Sequence, residues 1–271
     1  MAEFLATIAE HVKDEVNRRR RKLPVSALRE RSLFAAPARG FAAALRGRTR
    51  RIVAEIKKAS PSRGVIRDDF SPLDIARTYA ENGASAISVL TEERFFHGSL
   101  SYLKNIREIV AVPLLRKDFI LDAYQVTEAK SYGADAILLI AALLDRTQMH
   151  DLREEAGLLS LDVLVEVHGE DELEAALAAG AQVVGINNRD LRTFEVSLAT
   201  TERLAPLVPQ GIQCVCESGI ETTEQIRRVE NLGIHAFLIG ETLMRAPDPG
   251  QKLKELLKGD EHPSVSLTGE G

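Results

Sequence analysis

The amino-acid sequence predicts an α/β fold, a (β/α)8 TIM barrel with an N-terminal helical extension. Two observations lead to this fold class. From about residue 50 onward, short apolar runs alternate with amphipathic helical stretches, which is typical of a parallel sheet covered on both faces. There are eight such runs in a chain of 271 residues, and a closed barrel of this type typically needs about 250 residues.

The eight apolar runs are the predicted strands of the barrel. They span residues 51–57, 84–91, 112–119, 136–142, 161–167, 183–188, 213–217 and 236–240. Helical stretches between them cover 72–82, 123–132, 171–179 and 223–232, and each of these four is followed by a glycine. Glycine just past a helix accepts the left-handed conformation that ends it. The barrel is therefore predicted over residues 51–258, as one structural domain.

The two ends of the chain do not fit this repeat. Residues 1–50 are predicted to form a helical extension that contains an added amphipathic helix. The apolar stripe of that helix consists of Phe4, Leu5, Ile8, Val12 and Val16. The basic run Arg18 to Lys22 is interpreted as a solvated helix end, with phosphate steering or nucleic-acid contact as the alternative. Residues 259–271 are rich in Gly, Ser, Glu and Pro, which predicts a disordered tail.

The composition excludes several classes of protein. The formal net charge is −5, whereas a general nucleic-acid binder needs clustered Lys and Arg. No apolar run approaches the roughly 18 residues of a membrane span, and the N-terminus lacks the apolar middle of a signal peptide. Cys214 and Cys216 are too few for a disulfide framework or a four-ligand zinc site and are expected to be buried free thiols. We therefore expect a cytoplasmic protein with no nucleic-acid or membrane partner.

Polar side chains recur at the carboxyl ends of the predicted strands, on the inward face. Alternate side chains of a barrel strand point inward, and most of them should be apolar. The exceptions are Glu55, Lys57, Lys117, Glu166, Asn187, Arg189 and Glu217. One buried charge could be a structural ion pair, but five strands that contribute such groups to one mouth indicate an active site. Barrel enzymes keep their chemistry at that end.

The last two strands end differently, in short glycine-containing turns that lead into helices. Ser218 and Gly219 follow the seventh strand, and Gly240 and Glu241 follow the eighth. Glycine lets backbone N–H groups approach an anion, and a helix N-terminus favours negative charge. Loops in these two positions form the usual phosphate site of such barrels. Ordinary turns remain the alternative interpretation.

Six segments together resemble the indole-3-glycerol-phosphate synthase family. They read AEIKKASPS at 54–62, LTEERFFHGS at 90–99, LRKDF at 115–119, GINNRDL at 185–191, ESGI at 217–220 and FLIGETLMR at 237–245. The resemblance covers nearly the whole chain in order. It implies a carboxy-lyase of tryptophan biosynthesis that needs no cofactor and no metal. The implied substrate is 1-(2-carboxyphenylamino)-1-deoxyribulose 5-phosphate, and the products are indole-3-glycerol phosphate, carbon dioxide and water.

The resemblance also implies roles for individual residues. Lys117 matches a general acid that protonates the substrate ketone, and Glu166 matches its carboxylate partner during dehydration. Three further residues, Glu55, Lys57 and Asn187, match the rest of the catalytic shell, with Lys57 placed to neutralise the substrate carboxylate. The residues expected to bind substrate are Ser60, Phe96, Phe119, Leu138, Arg189, Glu217, Ser218, Gly219, Leu238, Gly240 and Glu241. Among these, Phe96, Phe119 and Leu138 would clamp the aromatic ring, and Ser218, Gly219, Gly240 and Glu241 would hold the phosphate.

Other family properties and rival functions complete the expectations. In this family the extension 1–50 lies across the barrel mouth, and we expect a monomer or a weak homo-oligomer whose partner is a phosphorylated small molecule. His168, two residues past Glu166, is interpreted as a local hydrogen-bonding group. One rival function is another phosphate-binding barrel, such as phosphoribosylanthranilate isomerase, which requires a Cys near its first strand. The other is a barrel scaffold without catalytic activity, which would need none of the motif residues.

Overall fold

The computed structural model describes residues 2–61, 63–190 and 192–258, with only the backbone described for residues 2–6. The predicted tail 259–271 lies outside the described residues. So do the side chains of Phe4 and Leu5, two members of the predicted apolar stripe. No described helix is both long and apolar enough to cross a membrane.

Eight parallel strands close into a barrel, which confirms the predicted fold class. They are β1 (Arg51–Ile56), β2 (Ala86–Leu90), β3 (Leu114–Lys117), β4 (Ala136–Ile140), β5 (Asp162–Val167), β6 (Val183–Asn187), β7 (Gln213–Glu217) and β8 (Ala236–Ile239). Each strand pairs with the next along the chain, and β8 pairs with β1 to complete the closure. The long apolar stretches are strands because both faces are buried, one by the barrel interior and one by the helices.

Twelve α-helices lie within the residues that the structure describes, and they surround or precede the strands. They are α1 (Ala2–Lys22), α2 (Val25–Arg29), α3 (Phe41–Ala44), α4 (Pro72–Glu81), α5 (Leu100–Ile109), α6 (Ala123–Ser131), α7 (Arg146–Leu158), α8 (Glu170–Ala178), α9 (Ala199–Leu204), α10 (Thr223–Glu230), α11 (Glu241–Arg245) and α12 (Pro249–Leu257). Two of these helices begin at a capping box, α7 at Asp145 and α10 at Thr222. The capping box satisfies backbone N–H groups that would otherwise lack partners.

The segment just before β1 closes the amino-terminal end of the barrel. Phe41 and Leu45 are fully buried among inward residues of the strands, several of which are small. The backbone N–H of Ala42 donates to Asp162 at 2.8 Å, and that of Arg39 donates to Asp135 at 2.8 Å. This part of the extension therefore lies at the end of the barrel opposite the catalytic mouth.

Helix α1 packs against α2 and α6. Ile8, Val12 and Val16 are buried in a cluster with Leu28 and Tyr124. Within the basic run, the end of α1 makes ion pairs with α6, from Arg19 to Glu128 at 3.5 Å and from Arg20 to Asp122. Part of the basic run thus docks α1 on the barrel, a role that neither interpretation of the run included.

The two cysteines are free. Both lie on β7, where Cys216 is buried and Cys214 is half-buried against the core. Burial raises the pKa of the Cys216 thiol to about 11 and that of the Cys214 thiol further. At neutral pH both are therefore protonated thiols with little nucleophilic character.

Candidate active site

A cavity of ≈ 370 Å³ opens at the carboxyl ends of the barrel strands. The structure brings every predicted site residue to its lining. These are Glu55, Lys57, Ser60, Phe96, Lys117, Phe119, Leu138, Glu166, Asn187, Arg189, Glu217, Ser218, Gly219, Leu238, Gly240 and Glu241. Their convergence from separate strands follows from the closed barrel, because each strand delivers its last inward side chains to the same mouth.

Lys117 and Glu166 form the central ion pair of the cavity. The Lys117 Nζ atom lies 3.0 Å from Glu166 Oε2, and both side chains are largely buried. Burial would raise the pKa of the Glu166 carboxyl, but the Lys117 ammonium and His168 outweigh it and lower the pKa to about 2. Burial would lower the pKa of Lys117, but Glu166 and other carboxylates raise it. The resting pair is therefore an ammonium and a carboxylate at neutral pH.

A second pair forms at the end of β1. Lys57 Nζ lies 2.8 Å from Glu55 Oε1. The Glu55 carboxyl occupies space beside Gly240, where an added Cβ would lie 2.3 Å from Glu55 Oε1. Gly240 is thus required for the position of Glu55, in addition to the role predicted for it at the phosphate.

Glu217 is the third carboxyl group of the mouth. Its side chain is buried and lies beside Glu166. Burial and, to a smaller extent, the negative charge of Glu166 raise the pKa of the Glu217 carboxyl well above its ordinary value. One of its oxygens has no hydrogen-bond partner among the described residues. The Glu217 carboxyl therefore holds a proton more readily than an ordinary carboxyl does, and in its protonated form it can donate a hydrogen bond. Gly185 makes room for it, since an added Cβ would lie 1.9 Å from Glu217 Oε1.

The apolar end of the cavity contains two aromatic rings. The ring centroids of Phe96 and Phe119 lie 6.1 Å apart, and Leu138 and Ile8 line the same cavity. The loop that carries Phe96 is organised by Glu92, whose carboxylate accepts backbone N–H bonds from three consecutive residues, 94–96. Sequence reasoning missed Glu92, although an acid that precedes a short loop is a known signal for such a turn.

The opposite end is formed by the turns after β7 and β8. Ser218 and Gly219 both have positive φ, 64° and 82°, and an added Cβ at Gly219 would lie 2.7 Å from Val196. The Glu241 carboxylate lies 3.3 Å from Arg189 and 3.2 Å from Arg63. Arg63 was not predicted; with Arg189 it brings a second guanidinium to this end of the cavity.

A buried polar network lies directly behind Lys117. Arg116 is fully buried, and its guanidinium lies 2.9 Å from Asp118 and 3.0 Å from Glu128. It also donates to the Gln125 carbonyl at 2.8 Å and to Thr91 at 3.2 Å. Because Glu128 also pairs with Arg19, the network connects α1 to the strand that carries Lys117. Sequence analysis did not identify it.

Within the described parts of the chain, no group of three or more His, Cys, Asp or Glu side chains could hold a metal ion. Glu55 and Glu166 are each paired with a lysine, which competes with a cation for their oxygens.

Comparisons with known proteins identify the family of the chain. The family model described as indole-3-glycerol phosphate synthase matches residues 5–256. Curated relatives with that name include proteins from Roseiflexus sp. (strain RS-1), 51% identical over 94% of this chain and 98% of that protein, and from Dehalococcoides mccartyi (strain CBDB1), 51% identical over 90% and 95%.

Solved structures with low sequence identity share the fold. KGPDC from Streptococcus mutans aligns with a TM-score of 0.60 at 13% identity, over 77% of this chain and 95% of that chain. Thiamine phosphate pyrophosphorylase from Pyrococcus furiosus aligns with a TM-score of 0.56 at 18% identity, over 77% and 94%. These two alignments support the barrel architecture alone.

Proposed function

The chain belongs to the indole-3-glycerol phosphate synthase family, and from this premise we propose how its own residues carry out the reaction. The enzyme is a carboxy-lyase of tryptophan biosynthesis that forms indole-3-glycerol phosphate from 1-(2-carboxyphenylamino)-1-deoxyribulose 5-phosphate, with loss of carbon dioxide and water. The observation that supports the proposed roles best is the buried Lys117–Glu166 pair at the centre of the mouth.

Lys117 is the general acid of ring closure. As the aromatic carbon that bears the carboxylate attacks the ketone carbon, the ketone oxygen gains negative charge. The Lys117 ammonium meets that charge and supplies the proton that makes the oxygen a hydroxyl. Glu166 keeps Lys117 protonated until then, because the carboxylate raises the pKa of the amine.

Decarboxylation and dehydration follow on the same intermediate. The electron pair of the bond to the carboxyl group returns to the ring, so carbon dioxide leaves without a proton donor. Loss of water then needs a proton on the hydroxyl and removal of a proton from the carbon next to nitrogen. We assign the removal to Glu166, which passes this proton through Lys117 to the departing hydroxyl. Glu55, Lys57 and Asn187 are the polar groups around it.

The two ends of the cavity orient the substrate. Phe96, Phe119 and Leu138 clamp the aromatic ring, and Lys57, with Ser60 close in sequence, neutralises its carboxylate. The turns at 218–219 and 240–241 bind the phosphate through backbone N–H groups, the last through Glu241 N–H. Arg189, Glu217 and Leu238 complete the substrate-binding set. Arg63 is added, because its guanidinium, like that of Arg189, lies beside Glu241 at the phosphate end.

Phosphoribosylanthranilate isomerase activity and a non-catalytic scaffold are not favoured. Neither Cys214 nor Cys216 lines the cavity, and both thiols are protonated.

The free thiols support the proposal of a reducing, cytoplasmic location. The mixed charge of the surface and the formal net charge of −5 support the proposal that nucleic acid is not a partner. A monomer or weak homo-oligomer remains our proposal for the assembly.

The function is tested by fluorescence detection of indole formation from the carboxyphenylamino substrate. We expect turnover that is unchanged when EDTA is added, since lysines and carboxyl groups supply the chemistry. Loss of activity in EDTA that zinc or magnesium restores would refute the metal-free mechanism. Absence of indole formation, with isomerisation of phosphoribosylanthranilate instead, would refute the assignment.

Deletion of residues 2–30 is expected to raise KM strongly. Helix α1 contributes Ile8 to the cavity, and excluding water there strengthens the contacts of Lys57 and Lys117 with substrate. Residues 39–45, which close the other end of the barrel, remain in this variant. Circular dichroism and steady-state kinetics on the deletion and the full chain provide the test. A folded deletion with unchanged KM would contradict the proposal that α1 covers the mouth.

A further inference from the structure

His168 lies beside the central ion pair but outside the cavity. It follows β5, two residues after Glu166, and it is not among the residues that line the cavity. Its ring atom Nε2 lies 3.4 Å from Glu166 Oε1, the carboxylate oxygen that does not face Lys117. This Nε2 atom is buried and makes no hydrogen bond to any residue that the structure describes.

The other side of the ring is held by Glu172 on α8. Glu172 Oε2 lies 3.1 Å from His168 Nδ1 and accepts the backbone N–H of His168 at 2.8 Å. The Glu172 side chain is 23% exposed, whereas that of Glu166 is only 3% exposed. The series Glu172, His168, Glu166, Lys117 thus leads from solvent to the centre of the active site.

The reaction requires such a connection because it consumes a proton. Two protons are added to the ketone oxygen, one to form the hydroxyl and one to release it as water, and one proton is removed from carbon. The net uptake is one proton per turnover, which matches the conversion of a carboxylate into neutral carbon dioxide. After each turnover the buried Lys117–Glu166 pair must therefore recover a proton from solvent.

We propose that His168 and Glu172 form a relay that returns this proton to Glu166 and Lys117 between turnovers. The inference rests on the roles proposed above for Lys117 and Glu166. Once Lys117 has given its proton to substrate, Glu166 loses its cationic partner and becomes more basic, because burial then acts unopposed. The His168 Nε2–H transfers its proton to Glu166 Oε1, and Glu166 protonates the Lys117 amine. A flip of the neutral ring then turns its remaining N–H towards Glu166, and the free nitrogen takes a new proton from Glu172.

The charges around His168 favour its protonated form at rest. The groups that face it are Glu172 on α8, Glu166 on β5 and, beyond Glu166, Lys117 on β3. Burial lowers the pKa of the imidazole, but the hydrogen bond to Glu172 and the charge of Glu166 outweigh it and raise the pKa. The relay therefore stays loaded to a higher pH than a free histidine would, and it empties as the pH rises through the His168 pKa. His168 is a positioning residue that acts through Glu166.

The test separates the first turnover from later ones. In His168→Ala, resting Lys117 is already protonated, so the first turnover with enzyme in excess should proceed within about threefold of the wild-type rate. Steady-state kcat should fall about 10²-fold, the lower range of acid–base contributions, with KM little changed. Imidazole in the buffer should restore kcat. His168→Gln, which keeps a donor for Glu172, should remain slow and lose the fall of kcat at high pH.

Variants of other residues provide the controls, and several outcomes would contradict the relay. His150→Ala on α7 and Glu174→Gln on α8 change exposed side chains. These variants should leave both the rate of the first turnover and the steady-state kcat unchanged. Glu172→Gln should reproduce the slow steady state, and it keeps the test valid if His168→Ala does not fold. The relay would be overturned if His168→Ala had an unchanged kcat, or if its first turnover and its steady-state kcat fell equally. Full activity of His168→Gln would overturn it as well. Full turnover of Glu166→Gln would instead overturn the role proposed for Glu166.

Discussion

Replacing Lys117 by alanine is expected to lower kcat by about 10²–10⁴-fold, the usual contribution of a general acid. The variant loses the donor that faces the ketone oxygen, and no other ammonium replaces it, because Lys57 is paired with Glu55. The barrel should remain folded, since the buried Glu166 can take up a proton once its cationic partner is gone. Steady-state kinetics and circular dichroism provide the measurements.

Two further variants show whether Lys117 acts by its proton or by its charge. Lys117→Arg keeps a cation beside Glu166, but a guanidinium does not release its proton near neutral pH, so this variant should also be inactive. Lys254→Ala removes an exposed lysine on α12 and should behave as wild type. More than about a tenth of wild-type turnover in Lys117→Ala would remove Lys117 from the role of general acid.

The mouth of the barrel was predictable because its signals are local. In a strand the side chains alternate with a period of two, so Glu55 with Lys57, or Lys117 with Phe119, could be placed on one face from their spacing. The closed barrel then brings those faces together. Glu55, Lys57, Lys117, Glu166, Asn187 and Glu217 could be placed at the mouth in this way, whereas Ser60, Phe96 and Leu138 were predicted from the family resemblance; all of them line one cavity.

The features that were missed depend on contacts between distant parts of the chain. Arg39 donates to the Val110 carbonyl, 71 residues away, and Ala42 donates to Asp162 across 120 residues. No periodicity in the sequence reports such contacts, so the closure of the amino-terminal end by Phe41 was not predicted. The short hairpin of Ala59–Ser60 and Gly64–Val65 was missed because strands of two residues have no detectable pattern.

The network around Arg116 was missed for the same reason, although Arg116 itself lies within a predicted strand. Its side chain alternates away from the inward face that carries Lys117, where apolar residues usually contact the helices. Only the structure reveals that acids on the loop after β3 and on α6 reach it: Asp118 and Glu128. Their charges outweigh burial and raise the pKa of the Arg116 guanidinium, which favours its charged form.

Replacing Arg116 by methionine is therefore expected to destabilise the protein more than any other single change considered above. Methionine fills much of the space, but Asp118 and Glu128 are left buried without their cation. Breaking a buried pair in this way costs about 3–5 kcal/mol, which corresponds to a fall of about 10 °C in Tm for a protein of this size. Thermal unfolding followed by circular dichroism measures the shift.

The size of the fall in Tm shows whether Arg116→Met is destabilised by unpaired buried charge or by lost packing. Arg20→Met removes an exposed partner of Asp122 on α6 and should cost less than about 1 kcal/mol. Combining Arg116→Met with Asp118→Asn and Glu128→Gln removes the buried charges that the single change leaves without a partner. The triple variant should therefore recover part of the lost Tm, because neutral amides are less costly to bury than carboxylates. A triple variant no more stable than Arg116→Met would show that the guanidinium acts by filling space, and that the charge of the network contributes little to the stability of the strand that carries Lys117.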